Sequence, residues 1–142
     1  MGCWAINSFG NDDAADWLAE LEERPDVAMV EDAPARVLNA GRDYLEAPDA
    51  TRALAAVEVV AAAIGHAGNA VQDRDALRQW MAKVKPQPSL RLIDDALRVL
   101  ERILSPASEL DDLWRETDEY GEWRQDVEAL RNRLGRSGTD VD

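Results

Sequence analysis

The stretch from Asp49 to His66 constrains the fold more than any other part of the chain. At about 100° per residue, its Leu54, Val57, Val59, Val60, Ile64 and many alanines surround the helix axis, and only Asp49, Arg52 and Glu58 carry charge. A helix that is apolar all round has to be covered all round. Its alanines let neighbouring helices approach closely. The most apolar part, Ala53 to Ala63, is interrupted by Glu58 and is far shorter than the roughly 20 residues that span a bilayer. The expectation is therefore a central helix wrapped by others, with Gly65 and Gly68 as its stop signal.

The remaining segments supply the wrapping. From Asp12 to Glu23, Ala14, Trp17, Leu18 and Leu21 fall on one side of a helix, and Asp12, Asp16, Glu20 and Glu23 fall opposite. Asn11 or Asp12 suits the N-cap, and Arg24-Pro25 ends the run. A second helix is expected from about Asp32 to Leu45, with Pro34 in its first turn. Leu77, Trp80, Met81 and Val84 define a shorter helix, broken by Pro86 and Pro88.

Ser89 then caps a long helix whose stripe runs Leu90, Ile93, Leu97, Leu100 and Leu104, widened by Leu92, Ala96, Val99 and Ile103. On its surface Asp94 and Arg98 stand in the favourable i,i+4 order. Ser105-Pro106 reads as another helix start, leading to Leu110, Leu113 and Trp114. Gly121 reads as a kink or stop before the last stripe of Trp123, Val127, Leu130 and Leu134. No alternating strand of four or more residues occurs. The fold class is all-α, a single-domain bundle of six or seven helices over residues 1–134, with 135–142 a frayed tail.

Charge narrows the function. Sixteen basic residues against twenty-nine acidic ones leave a net charge of −13. That balance opposes sequence-independent binding to nucleic acid, which needs Lys and Arg to replace counterions. It also opposes docking on an anionic membrane. One cysteine allows no intrachain disulfide, and one histidine allows no multi-histidine metal cage. The start, Met1-Gly2-Cys3-Trp4-Ala5-Ile6, has no basic leader and no long apolar run, and Ile6 stands where a myristoylation signal has Ser or Thr. With the lone Cys3, these features give a cytoplasmic expectation. The preference for Arg over Lys, with abundant Ala and Asp, suggests a GC-rich bacterial genome.

The opening Met1-Gly2-Cys3-Trp4, then Phe9, then Asn11-Asp12-Asp13-Ala14-Ala15-Asp16-Trp17 resembles a bacterial family of small proteins, domain of unknown function 4259, whose members open with M-G-x-W, an aromatic, and N-D-x-A-x-D-W/F. Leu54-Ala55-Ala56-Val57-Glu58-Val59-Val60-Ala61-Ala62 is similar to that family's central alanine-rich helix. Ser108-Glu109-Leu110, Leu113-Trp114 and Trp123-Arg124 to Leu134 are similar to its C-terminal helices. Family openings often read G-x-G-P-F, whereas Ala5-Ile6-Asn7-Ser8-Phe9 lacks both glycines and the proline. The resemblance sharpens the fold and implies no activity, cofactor or partner.

Three candidate sites follow from the residues. Trp4, Phe9, Asn11, Asp12, Asp16 and Trp17 suit a pocket with aromatic walls and carboxylate contacts. The same residues suit a helix cap with aromatic anchors, worth about 1 kcal/mol for the cap and more for each buried ring, and those magnitudes favour the structural reading. Asp12, Asp16 and Glu20 repeat at i, i+4, i+8, a spacing that suits a hard cation less well than a solvated acidic face. His66, at the end of the central helix, suits interaction with its last carbonyls better than general-base work, and no Glu-x-x-His precedes it.

Cys3 lacks the partners of an activated thiolate, Gly65-His66-Ala67-Gly68-Asn69 is no phosphate loop, and no G-x-S-x-G occurs. Most of the five tryptophans sit at core spacing. No catalytic residue, metal ligand or cofactor is assigned, and the balance leans away from an enzyme.

Residues 1–71 carry thirteen acidic and four basic side chains, so the acidic excess gathers in the N-terminal half. The functional expectation is an acidic protein–protein interaction module of the regulator or toxin-neutralising type, facing a partner with a basic surface. The alternative is a small-ligand-binding protein or enzyme using the N-terminal Trp/Asp motif. The candidate contacts for either are Trp4, Phe9, Asn11, Asp12, Asp16, Trp17, Glu20 and His66.

Overall fold

A computed structural model describes residues 12–41 and 43–139, with backbone alone for Asn69, Ala70 and 136–139. Its elements are α1 (Asp12–Glu22), α2 (Ala28–Asn39), α3 (Ala47–Ala63), α4 (Asn69–Gln72), α5 (Asp75–Val84), α6 (Leu90–Ile103), α7 (Glu109–Arg115) and α8 (Tyr120–Thr139). α4 is a single turn, which leaves seven longer helices. Among the described residues there is no sheet, only one isolated parallel bridge between Leu45 and Ser108. α3 runs through the middle, with α1, α2, α6, α7 and α8 packed against it. Twelve of its seventeen residues are buried, as an all-round apolar helix requires. Each fully buried Val or Leu there contributes about 1.5–3 kcal/mol.

The two ends of α3 are fixed by different means. At its start Glu46 makes no side-chain cap. Glu109 of α7 supplies it from across the molecule, its Oε1 accepting from the Ala47 N–H at 2.8 Å. At its end Gly65 takes φ +92°, its N–H donates to Ala62 O, and the His66 N–H donates to Ala61 O at 2.9 Å. This pair of bonds is a Schellman closure, and the left-handed residue is the glycine. His66 therefore lies beyond the helix rather than in its last turn.

α2 departs from the sequence expectation of Asp32 to Leu45. It starts at Ala28 because Asp26 Oδ1 accepts from the Ala28 N–H at 3.1 Å and the Val27 carbonyl accepts from Val30 and Glu31. Pro34 consequently sits in the helix interior, where a missing N–H costs about 3 kcal/mol in isolation. Burial of Val30, Ala33, Pro34 and Val37 offsets it. The helix stops at Asn39, ahead of Gly41 at φ +60°.

Leu45 belongs to the connection instead. Its N–H donates to Ala107 O and its carbonyl accepts from the Glu109 N–H, both at 2.8 Å. Arg102 ties the same junction by donating to the carbonyls of Gly41, Asp43 and Ala107.

Ser89 caps α6 as expected, accepting from Leu92 N at 3.1 Å. The buried stripe is rotated from the expected one: Leu92, Ile93, Ala96, Val99, Leu100 and Ile103 face inward, while Leu90 is 79% exposed. Ser105 does not start the next helix, because its hydroxyl donates back to Arg102 O at 2.6 Å. Ser108 caps α7, accepting from Asp111 N.

Four residues separate α7 from α8, and Gly121 lies inside the first turn of α8. The break is made by Thr117, whose hydroxyl donates to Trp114 O at 2.7 Å and accepts from the Glu119 N–H at 3.2 Å. α8 continues to Thr139, past Leu134 where the expected stripe ends. Trp17, Trp80, Trp114 and Trp123 are all core residues, the last two stacked with centroids 5.9 Å apart. Trp4 lies outside the described residues.

Candidate functional site: an acidic cleft

α1 is amphipathic as read from the sequence, with Ala14, Trp17, Leu18 and Leu21 buried and Asp12, Asp16, Glu20 and Glu23 exposed. Its polar side faces solvent next to the outer side of α2. Between them, over the first two turns of α3, opens a cleft of about 350 Å³. α1 contributes Asp13, Asp16, Trp17 and Glu20, α2 contributes Met29, Asp32, Ala33 and Arg36, and α3 contributes Asp49 and Arg52. Five carboxylates thus face two guanidinium groups across a floor of Trp17, Met29 and Ala33.

Much of that charge is engaged within the walls. Arg36 Nε lies 3.3 Å from Asp32. Arg52 stands between Asp13 at 3.8 Å and Asp49 at 3.7 Å. Glu20 pairs with Arg24 at 2.7 Å, one turn on and outside the cleft. All of these side chains are substantially exposed, so each pair contributes under about 1 kcal/mol. Asp16 makes no hydrogen bond or ion pair among the described residues. The cleft keeps a net negative field and one carboxylate open to a cation.

Of the sequence candidates, Asp16, Trp17 and Glu20 come together here. Asp12 opens α1 and is exposed, but does not line the cleft. His66 is not brought to it: the cleft sits at the start of α3 and His66 follows the other end, roughly 20 Å along the helix. Trp4, Phe9 and Asn11 lie outside the described residues, and so does Cys3. Asp13, Met29, Asp32, Arg36, Asp49 and Arg52 were missed by the sequence reading. They come from three helices that only tertiary packing brings side by side. The available signal was the density of acids at both helix starts, Asp12-Asp13 and Glu31-Asp32.

Among the described residues, no three Asp, Glu, His or Cys side chains are grouped so as to hold a metal ion. No helix there is long and apolar enough to cross a membrane.

The molecule is thus an all-helical bundle built around a buried alanine-rich helix and bearing an acidic cleft at one end. The chain belongs to the family described as Domain of unknown function (DUF4259), whose model matches residues 2–126. That match ends within α8. No curated protein and no solved structure matches the chain.

Proposed function

We propose that the protein is an interaction module whose cleft between α1 and α2 receives a positively charged segment of a partner protein. The observation that carries this reading is the cleft itself: five carboxylates around an apolar floor, with Asp16 unpaired among the described residues. Long-range attraction from a chain of net charge −13 steers basic partners toward it. The floor of Trp17, Met29 and Ala33 suits the methylene stem of an incoming Arg or Lys. The regulator or toxin-neutralising role belongs to this reading. So does a bacterial cytoplasmic setting, supported by the lone cysteine.

The cleft volume also supports a second reading. About 350 Å³ falls within the range of small-molecule pockets, and a small organic amine would satisfy the same carboxylates.

Calorimetric titration of the full chain with an Arg/Lys-rich peptide, an acidic peptide and a simple diamine separates these readings. The first predicts binding of the basic peptide that weakens with salt and is lost on changing Asp16→Lys with Glu20→Lys. Tight binding of the diamine alone favours the second. Binding of the basic peptide that survives the double change overturns the cleft as the site.

A further inference from the structure

Residues 76–93 form the longest stretch of the chain without an acidic side chain, and they carry Arg78, Lys83, Lys85 and Arg91. Both lysines of the protein are among these. The stretch runs from α5 through Pro86-Gln87-Pro88 into the first turn of α6. Outside it, every arginine whose side chain is described is paired with a carboxylate or, at Arg102, with backbone carbonyls. Arg133, for one, donates to both oxygens of Glu58 and to the His66 carbonyl. Within the stretch Arg78 pairs with Asp75. Lys83, Lys85 and Arg91 are exposed and make no ion pair or side-chain hydrogen bond among the described residues. Glu23, past the end of α1, and Glu31 of α2 border the stretch without pairing with any of the three.

The backbone gathers these cations at a turn. Lys85 closes α5 at φ +53°, its N–H donating to Met81 O at 2.8 Å, in the left-handed position where glycine is the usual residue. Two prolines then keep the chain out of a helix until Ser89 caps α6. Beside Arg91, Leu90 is 79% exposed. The turn is therefore cationic with an apolar side chain at its edge, on a protein of net charge −13.

The acidic cleft is its complement, with carboxylates around a floor of Trp17, Met29 and Ala33. At about 350 Å³ it admits side chains, not a helix about 10 Å across. The turn does not reach the cleft of its own chain. Pro86, Gln87 and Pro88 lie against Val59, Val60 and Ala63, late in α3, whereas the cleft lies over Asp49 and Arg52, roughly 15 Å earlier along the helix. A cation on this turn meets such a cleft only on another molecule.

Resting on the reading of the cleft given above, we infer that the basic partner is a second copy of this chain, whose 83–91 turn places Lys83, Lys85 and Arg91 against the carboxylates around Asp16. The contact is head-to-tail. Each copy still offers one cleft and one turn, so the assembly grows with concentration unless its rotation closes a ring. Salt acts on it in two ways. At about 10 mM the Debye length is about 30 Å and the repulsion between two chains of net charge −13 reaches across the approach. At about 1 M it is about 3 Å and the contact itself is screened. Association is therefore strongest between these limits, near about 150 mM.

The test is sedimentation equilibrium of the full chain at those three salt concentrations. The wild type should associate at about 150 mM at least tenfold more tightly than at about 1 M. Two variants then divide the contact: Asp16→Lys with Glu20→Lys in the cleft, and Lys83→Glu, Lys85→Asn and Arg91→Glu in the turn, asparagine being tolerated in the left-handed region. Each should be monomeric alone. Mixed one to one, they should form a heterodimer that grows no further, because one turn and one cleft remain intact. A wild type that stays monomeric at every salt concentration up to millimolar protein overturns the proposal without recourse to a variant. So does a cleft variant that still self-associates, or an acidic peptide that binds through the turn of a monomeric wild type. The cleft itself is judged separately: a turn variant that binds an Arg/Lys-rich peptide keeps the cleft reading even where self-association fails.

Discussion

Acidic side chains do different jobs at the two ends of α3. Around the cleft, five carboxylates stand largely in water, and their partners Arg24, Arg36 and Arg52 are long, exposed and replaceable. Toward the other end, past the middle of the helix, Glu58 is withdrawn from water and held by a guanidinium that is itself mostly covered. Water screens the first group, so its charge acts outward, as a field on whatever approaches. The second has lost its hydration, so its charge acts inward and selects the helix that brings Arg133 onto α3. The same carboxylate chemistry gives recognition where it is wet and architecture where it is dry.

That contrast is broken most forcefully at the dry end. Arg133→Met takes from buried Glu58 the guanidinium that contacts both of its oxygens and should destabilise the fold by about 3 kcal/mol, read from urea unfolding monitored by tryptophan fluorescence. Adding Glu58→Leu to it should restore most of the loss, because an apolar pair needs no compensation. If the single variant costs no more than a surface pair, the Glu58 site is not architectural and the comparison collapses.

The backbone that carries the site is the next most sensitive. Gly65→Ala forces a side chain into φ +92°, which costs about 1–2 kcal/mol, and it disturbs the His66 carbonyl on which Arg133 rests. A thermal melt should show this loss. Combined with Arg133→Met, the two effects should fall short of additive, since both act through one guanidinium. Ser89→Ala, on a cap remote from either site, should cost about 1 kcal/mol and add to both.

How much of this was legible in the sequence depends on whether the cause is local. The all-round apolar pattern placed α3 at the centre, the alternation of acids and apolar residues oriented α1, and Ser89 after two prolines placed the start of α6. Each is a property of neighbouring residues. The start of α2 was misplaced because Pro34 reads as a helix opener, whereas burial of Val30 and Pro34 overrode that preference. Ser105-Pro106 reads as a cap and helix start, yet Ser108 caps α7, at the residue the Leu45 bridge holds in place.

The cleft was half visible, through Asp16, Trp17 and Glu20, since its other wall comes from α2 and α3. The Glu58–Arg133 pair was invisible as a pair. Its one sequence trace is a solitary glutamate in an apolar run, which signals that a partner exists without saying where.

The smallest expected effect is the sharpest test of the wet end. Changing Asp16→Lys with Glu20→Lys reverses two charges on α1, yet the i,i+4 ladder nearly balances. The wild-type helix has two repulsive steps, Asp12 to Asp16 and Asp16 to Glu20, and one attractive step, Glu20 to Arg24. The double variant has one attractive step, from Asp12 to position 16, and two repulsive ones. Each step is worth about 0.2–0.5 kcal/mol, so the sum should change by less than about 0.5 kcal/mol. Both sites are exposed and beyond the first turn, where the helix dipole has faded. Circular dichroism and the melting temperature should therefore hardly move, while attraction for a basic peptide disappears. A large loss of stability instead would mean that this face supports the fold, and the distinction between a cleft that acts outward and a charge that acts inward would fail at α1.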